Sequence, residues 1–200
     1  IYLFESACAR RGGLNSLKEF MTFLKFTGAP ARIDFSLAGT LETLHANLSI
    51  KENYILDSVP TSLIKNREDN FSLTAENLKN EHLKELIERT NCLDRKINEL
   101  CDQEKKIVSI VKGVLSQSEY LFLENPDQGL DSNIMETIKA ALSFEALANK
   151  RCVLIRPQEQ EKWLELAGNL VTRPVGGPYI SKVNELALSN VYDLRSKKVA

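Results

Sequence analysis

Residues 100–131 read LCDQEKKIVSIVKGVLSQSEYLFLENPDQGLD, and this stretch decides the fold. Its first half carries apolar residues at helical spacing, namely Ile107, Ile110, Val111, Val114 and Leu115. Such a stripe predicts an amphipathic helix. The helix leads into residues 120–123, YLFL, a short apolar run typical of a strand that is buried on both faces. The sequence therefore predicts a helix and then a buried strand that ends at the carboxylate of Glu124.

Helical and strand patterns alternate along the rest of the chain. Helical spacing marks residues 16–26 and a segment with Ile134, Ile138, Ala141 and Leu142, whereas residues 32–37 and 152–155 are typical of strands. Thr74 is the expected N-cap of a helix that buries Leu78, Leu83, Leu86 and Ile87. Further helices are expected from Trp163 to Ala167 and over residues 183–191, and a turn is expected at residues 174–178. Trp163 is expected to be a packing anchor. This order predicts an α/β fold with a parallel sheet and helices on both faces.

The carboxylate at the end of the 120–123 strand is the first chemical signal. Proteins of the α/β class that handle phosphate place an acid at the C-terminal edge of the sheet, where ligands bind. Short apolar runs followed by an acid and a proline are common, so a purely structural role for Glu124 stays open at this point.

The sequence around Glu124 resembles, without a gap, the core of the ATP-binding cassette (ABC) ATPases. In that family a helix opened by LSGGQ leads to a strand that ends in Asp-Glu-Pro, and Ala-Leu-Asp follows. Leu100 matches the signature leucine, Lys112 matches the basic residue of the helix, and residues 124–126 match Asp-Glu-Pro. Leu130 and Asp131 fall on the D-loop. The resemblance implies a P-loop NTPase-like core with a helical subdomain that carries the signature.

The likeness extends in both directions. Residues 80–100 resemble the helical subdomain before the signature, and residues 48–56, LSIKENYIL, are similar to the segment after the Q-loop. KRCVLIRP at 150–157 resembles the strand that leads to the switch histidine, and GGLNSLKEFMTFLKFTG at 12–28 lies where the Walker A loop and its helix belong. The resemblance implies a core of residues 1–56 and 105–200 and a subdomain of residues 57–104, within one structural unit.

The Walker A position departs from the family pattern. A phosphate-binding loop needs glycines, a lysine for the β and γ phosphates and a hydroxyl for magnesium. With Gly13 as the first glycine, Lys18 replaces the last glycine, Glu19 the lysine and Phe20 the hydroxyl residue. At about 4 Å, this charge reversal turns an attraction of about 4 kcal/mol into a repulsion of that size. A triphosphate is therefore expected to bind poorly or not at all.

The other catalytic positions are altered in the same sense. Asn125 stands for the glutamate that polarises water, and an amide cannot accept that proton. Glu124 could still hold the water shell of a metal ion, and Pro157 occupies the position of the switch histidine. The signature has lost its glycines and gained two acids that repel phosphate; it consists of Leu100, Cys101, Asp102, Gln103 and Glu104.

These departures predict a non-hydrolysing, degenerate ABC-type domain that acts as a scaffold or regulatory subunit of a larger transport-type complex. No catalytic residue, metal or cofactor is expected. The alternative is an active ATP-binding subunit with a rebuilt site for ATP and magnesium that uses Lys18 and Glu124. A third hypothesis is a module that binds another ligand in the vestigial cleft.

The resemblance also implies partners and a location. The signature and the D-loop would form a dimer interface, with a second copy or with an ABC-type subunit. The cleft between Thr40 and Leu56 would receive a helix of a membrane protein. The expected location is the cytoplasm, or the inner face of a membrane.

Composition argues against several other classes. The 200 residues have a hydrophobic share of 43%, enough for one sizeable core, and a net charge of −1 gives no broad attraction to nucleic acid. No apolar stretch has membrane-spanning length. The cysteines and histidines are scattered, so no zinc site is expected. They are Cys8, Cys92, Cys101, Cys152, His45 and His82, of which the last is expected to face solvent.

Overall fold

A six-stranded sheet forms the centre of the computed structural model, which describes residues 1–5, 16–58, 78–174 and 177–185. Its strands are β1 (Tyr2–Phe4), β2 (Phe35–Ala38), β3 (Tyr120–Glu124), β4 (Cys152–Arg156), β5 (Asn169–Thr172) and β6 (Ile180–Val183). Their order in the sheet is β2-β3-β4-β1-β5-β6. Strands that are neighbours in space therefore come from distant parts of the sequence.

The sheet is parallel except at one edge. Strands β2 to β5 in this order pair in parallel, and β6 pairs with β5 in the antiparallel direction. Parallel neighbours need crossover connections, which helices usually supply. The C-terminal ends of β2, β3 and β4 meet at the same edge of the sheet, and in open α/β sheets this edge is where ligands bind.

Helices cover the sheet. They are α1 (Ser16–Phe26), α2 (Ile50–Ser58), α3 (Glu81–Arg89), α4 (Asp102–Leu115) and α5 (Ser132–Leu147), with short 3-10 segments at Leu41–Thr43, Ile97–Glu99 and Gln160–Trp163. Within the ranges that the structure describes, no helix is both long enough and apolar enough to cross a membrane.

Both faces of the sheet are apolar, because successive strand residues point to opposite sides. One face packs against α1 and is built from Phe4, Phe122, Leu154 and Val171 with Phe20, Phe23 and Leu24. The other packs against α4 and α5 and includes Leu3, Leu121, Leu123, Val153 and Ile155. Helices on both faces of a mostly parallel sheet confirm the predicted fold class.

Aromatic rings hold α1 on its face of the sheet. The Phe20 ring lies 5.0 Å from Phe4 and 5.0 Å from Phe122, between ring centroids, and Phe23 lies 5.1 Å from Phe4. Each such ring contributes about 1.5–3 kcal/mol when it is fully buried. Phe20 and Phe23 are therefore core residues, whereas Phe26 at the end of α1 is exposed.

The longer predicted elements are confirmed, but the predicted helix from Trp163 to Ala167 is wrong. Trp163 is fully buried, as expected of a packing anchor, yet it ends a 3-10 segment and a turn follows. The Asn184 amide donates to the carbonyl oxygens of Leu164 at 2.6 Å and Ala167 at 2.8 Å. These carbonyl oxygens therefore accept hydrogen bonds from the side chain of Asn184, the residue after β6, and not from the backbone N–H groups of a continuing helix.

The predicted helix over residues 183–191 is also wrong at its start. Val183 is the last residue of β6 and pairs with Asn169 of β5. Residues 186–191, the predicted cap Thr74 and most of the connecting segment 57–70 lie outside the described residues. The helix predicted to bury Leu78, Leu83, Leu86 and Ile87 begins only after Asn80, whose side chain accepts the Leu83 N–H, so the prediction that Leu78 belongs to it is wrong. The exposed position of His82 on α3 is as predicted.

Candidate functional site

A cleft of about 530 Å³ opens at the C-terminal ends of β2 and β3. Leu17, Leu37 and Leu41 contribute apolar wall, and the polar part includes Glu124 and Asn125. The structure thus brings two of the sequence-predicted site residues into one cleft, at the edge of the sheet where a ligand is expected.

β3 ends at Glu124, and the chain turns at Asn125. Asn125 has a φ of 46°, a left-handed conformation that asparagine tolerates better than most residues. Its N–H donates to the carbonyl oxygen of Arg156 at 2.7 Å, which joins the ends of β3 and β4. Its side-chain Oδ1 is buried and has no hydrogen-bond partner within the described part of the chain.

Lys106 of α4 lines the back of the cleft. It is only 7% exposed, and its Nζ donates to the carbonyl oxygens of Gly39 at 2.5 Å and Asn125 at 3.0 Å. Burial lowers the pKa of the Lys106 ammonium, and the carboxylates of Asp127 and Glu124 partly oppose that shift. Lys106 therefore ties the ends of β2 and β3 together with a buried cation.

Gly39 is the point of closest approach between these two strand ends. It has a φ of +80°, and a Cβ placed on it would lie 2.6 Å from the carbonyl oxygen of Glu124. Its N–H donates to the Ser109 hydroxyl at 3.0 Å. A residue without a side chain is required here, because both the backbone conformation and the space exclude one.

The first turn of α1 contributes an apolar residue, Leu17, to the wall of the cleft. Leu17 lines the cleft, Lys18 is exposed and is not among the residues that line it, and Glu19 and Phe20 are fully buried. Gly13 lies outside the described residues. Among residues 17–20, none places a cation in the cleft.

Glu19 forms a buried ion pair with Arg156, the last residue of β4. The distance from its Oε2 to the Arg156 Nη1 is 3.4 Å, and the two side chains are 0% and 6% exposed. The Tyr179 hydroxyl donates to the carbonyl oxygen of Glu19 at 3.2 Å, which adds a contact from the segment before β6. The residue that the resemblance matches to the phosphate-binding lysine is therefore part of the packing between α1 and β4.

Asp127 holds the loop that carries Pro157. Its side chain is buried, and its two carboxylate oxygens accept the backbone N–H groups of Gln158 at 2.8 Å and Glu159 at 2.7 Å. Pro157 is buried and does not line the cleft. The loop after β4 is thus fixed to the turn after β3 by two charge-assisted hydrogen bonds.

The predicted signature residues begin α4. Leu100 is buried in the core, and Cys101 is the exposed N-cap residue. The Arg95 guanidinium lies 2.7 Å from the Glu104 carboxylate. That contact, with the Cys101 backbone N–H, lowers the pKa of Glu104. Glu104 therefore stabilises the start of α4 from within the chain.

The predicted signature and D-loop segments meet in the structure. The Gln103 side-chain amide donates to the Asp131 carboxylate at 2.8 Å. Asp131 also caps α5, because it accepts the Ile134 backbone N–H at 2.9 Å, and this bond is the main cause of its lowered pKa. Leu130 is half-buried next to it. These segments form one surface, on which Cys101, Asp102 and Asp131 are exposed.

Three residues of this region were missed from the sequence, namely Lys106, Asp127 and Arg156. Lys106 lies at helical spacing with Ile110 and Gly113, so a lysine on the buried stripe of α4 was the available signal. Arg156 follows directly on the apolar run 152–155, where a charged residue at a buried strand end requires a partner. No sequence signal identifies the backbone N–H groups of Gln158 and Glu159 as the hydrogen-bond donors to Asp127.

Within the described residues, no group of three or more histidine, cysteine, aspartate or glutamate side chains could hold a metal ion. The chain therefore offers no ready-made metal centre in these ranges. Two carboxylates line the cleft, Glu42 and Glu124, and Glu124, the last residue of β3, lies near the buried Lys106 ammonium.

The comparison with known proteins rests on structure. No protein-family model matches the sequence, and the search of curated proteins gives no match. A dimeric ATP-binding cassette in a post-hydrolysis state, bound to ADP and Pi, aligns with a TM-score of 0.65 and 13% identity over 91% of this chain and 84% of that chain.

Two further solved structures align over most of this chain. The ATP-binding subunit of an ABC transporter gives a TM-score of 0.62 and 14% identity over 97% of this chain and 82% of that chain. An archaeal ribosome recycling factor, in complex with a ribosomal stalk protein, gives 0.60 and 12% over 90% of this chain and 33% of that chain. The chain therefore has the α/β fold of the ABC ATPase cassettes.

Proposed function

We propose that this chain is a non-hydrolysing ABC-type domain that acts as a scaffold or regulatory subunit of a larger transport-type complex. The observation that carries the proposal is the state of Glu19. A carboxylate stands where the resemblance places the phosphate-binding lysine, and it is fully buried in an ion pair with Arg156. A buried carboxylate that is paired with an arginine offers a triphosphate no counter-charge.

The composition of the cleft supports the same proposal. Leu17 is apolar, and Asn125 cannot act as a general base. Lys106 is the lysine that lines the cleft among the described residues, and its ammonium is directed at two backbone carbonyls. The residues present therefore do not fit a triphosphate.

The alternative, an active ATP-binding subunit with a rebuilt site, requires a cation that reaches the phosphates. Lys18 was the candidate, but it is exposed and does not line the cleft. Lys106 is the remaining candidate in the cleft, and it would have to leave the carbonyl oxygens of Gly39 and Asn125. This rearrangement disfavours the alternative.

The partner proposed for this chain is a second copy or an ABC-type subunit. The exposed surface of Cys101, Asp102 and Asp131 supports this choice, because it corresponds to the segments that the resemblance places in a dimer interface. Leu41 and Leu56 are apolar side chains that are 45% and 37% exposed at the Thr40–Leu56 region, where a helix of a membrane protein is proposed to dock. Dimer formation can be measured by sedimentation at several concentrations.

Nucleotide binding by the purified protein tests the proposed function. We expect no saturable binding of ATP with magnesium up to about 1 mM, which corresponds to a binding free energy weaker than about −4 kcal/mol. The matched variant is Glu19→Lys combined with Arg156→Met, which supplies the charge of the family pattern without placing two buried cations side by side. Micromolar affinity of the unchanged protein, measured by calorimetry, would overturn the proposal in favour of the active subunit.

A further inference from the structure

Lys106 is a buried lysine that lines the cleft. It is 7% exposed, and its Nζ donates to two carbonyl oxygens, those of Gly39 at 2.5 Å and Asn125 at 3.0 Å. A lysine ammonium carries three N–H donors, and the neutral amine carries one fewer. The two acceptors that the described chain supplies therefore match the neutral amine and leave its lone pair unengaged.

The charged groups near Lys106 act on it without direct contact. No carboxylate of the described residues forms an ion pair with its Nζ, and the longer-range attraction of Asp127 and Glu124 opposes proton loss. Burial has the larger effect and lowers the pKa of Lys106. Since an ordinary lysine is about 0.04% free amine at pH 7, Lys106 holds a larger share of the nucleophilic form than an exposed lysine does.

The rest of the cleft wall determines which electrophile fits beside this amine. Leu17, Leu37 and Leu41 provide apolar surface, and the Glu42 and Glu124 carboxylates repel anions. The cleft has a volume of about 530 Å³, which is within the usual range for small-molecule sites. An uncharged electrophile with a short aliphatic body therefore fits this wall better than an anionic one.

We propose that Lys106 is a covalent binding site for small, uncharged aliphatic aldehydes, which its side-chain amine binds as a protonated imine. The nitrogen lone pair forms a bond with the carbonyl carbon, the carbonyl oxygen gains a proton and the nitrogen loses one, which gives a carbinolamine. The hydroxyl group then takes a second proton from solvent and leaves as water, while the nitrogen lone pair forms the C=N bond.

The surroundings of Lys106 accommodate this product. The protonated imine keeps one N–H, which the Gly39 carbonyl oxygen accepts, and its positive charge lies near the Glu124 carboxylate. The hydrogen bond to the Asn125 carbonyl oxygen, which is only partly buried, is the one given up. The proposal goes beyond the proposed function and does not depend on it.

The test is competitive labelling of the folded protein with 3-methylbutanal at pH 7. Sodium cyanoborohydride transfers hydride to the carbon of each protonated imine and leaves a stable secondary amine, so peptide mass spectrometry gives a rate for each lysine. We expect Lys106 to react at least about threefold faster than the exposed Lys96, because the rate follows the share of free amine. The rate at Lys106 should saturate with aldehyde, and the rate at Lys96 should not.

Three controls separate the cleft from general reactivity. Lys112 of the same helix is 4% exposed and donates to the Thr43 carbonyl oxygen at 2.6 Å, but it does not line the cleft, so it should react slowly. Glyoxylate, an anionic aldehyde, should show no preference for Lys106. Leu41→Ala removes apolar wall at a residue that is 45% exposed, and it should raise the half-saturating concentration of 3-methylbutanal at least about twofold.

Three outcomes would overturn the inference. One is labelling of Lys106 at or below the rate of Lys96, and another is an equal preference for Lys106 with glyoxylate. The third is a preference that persists in urea, where the unfolded chain has no cleft. Nucleotide takes no part in the labelling, so failure here is distinct from failure of the proposed function.

Discussion

Replacement of Gly39 by alanine is expected to destabilise the domain by about 2–5 kcal/mol, as the sum of two terms. Gly39 has a φ of +80°, and a left-handed backbone costs a residue with a Cβ about 1–2 kcal/mol. The new Cβ would also lie 2.6 Å from the Glu124 carbonyl oxygen. Because that atom belongs to the backbone of β3, relief requires strand movement, and such overpacking costs about 1–3 kcal/mol.

Gly129 offers a matched control for the first term. Its φ is +75°, and a Cβ placed there meets no atom within 4 Å. Gly129→Ala is therefore expected to lose about 1–2 kcal/mol, from backbone strain alone. The difference between the two variants isolates the close approach of β2 and β3 beside the cleft.

The measurement is urea denaturation of both variants and the unchanged protein, followed by circular dichroism. Free energies of unfolding are compared at equal m values, so that a change in midpoint reports stability. Each 1 kcal/mol lost corresponds to about 2–4 °C in Tm for a chain of this size. Equal losses in Gly39→Ala and Gly129→Ala would refute the argument that the strand ends are in contact at Gly39.

Two further predictions concern Asp127 and Lys106. Asp127→Ala removes two hydrogen bonds to a charged acceptor and should cost about 3–6 kcal/mol, with faster hydrogen exchange at the amides of Gln158 and Glu159; unchanged exchange there would contradict the assignment. Burial lowers the pKa of Lys106 in the folded protein below the usual lysine value of 10.5, which applies to the unfolded chain. At a pH between the folded and unfolded pKa, Lys106 is therefore mostly protonated in the unfolded chain and mostly neutral in the folded protein. Relative to Lys106→Met, the unchanged protein should gain stability as the pH rises toward 10.5 and should level off above it. Urea melts of both proteins across this range check the sign, and a falling difference would refute it.

The elements that were predicted from the sequence are those with long or strongly periodic apolar patterns. The stripe through Ile107 and Ile110 and the run 120–123 gave α4 and β3, because local burial decides both. β1, β5 and β6 were missed, since strands of three or four residues have too few positions to show a period. Val183 illustrates the reason: its strand state depends on pairing with Asn169, which no local pattern records.

The candidate site was predictable only in outline. Glu124 and Asn125 were placed correctly at the edge of the sheet, because a buried strand and a following turn fix that position. The contacts that give the edge its chemistry join residues far apart in the sequence. Lys106 with Gly39, Asp127 with Gln158 and Glu19 with Arg156 all depend on the strand order.

The Glu19–Arg156 ion pair makes the charge that is tolerated at position 19 depend on the residue at position 156. Replacement of Glu19 by lysine alone would set two buried cations side by side at the end of β4, and removing one partner of a buried pair already costs about 3–5 kcal/mol. A basic residue at this position of α1 would thus require a second change, at Arg156. Any route to it takes two substitutions, and the first of them passes through a less stable protein.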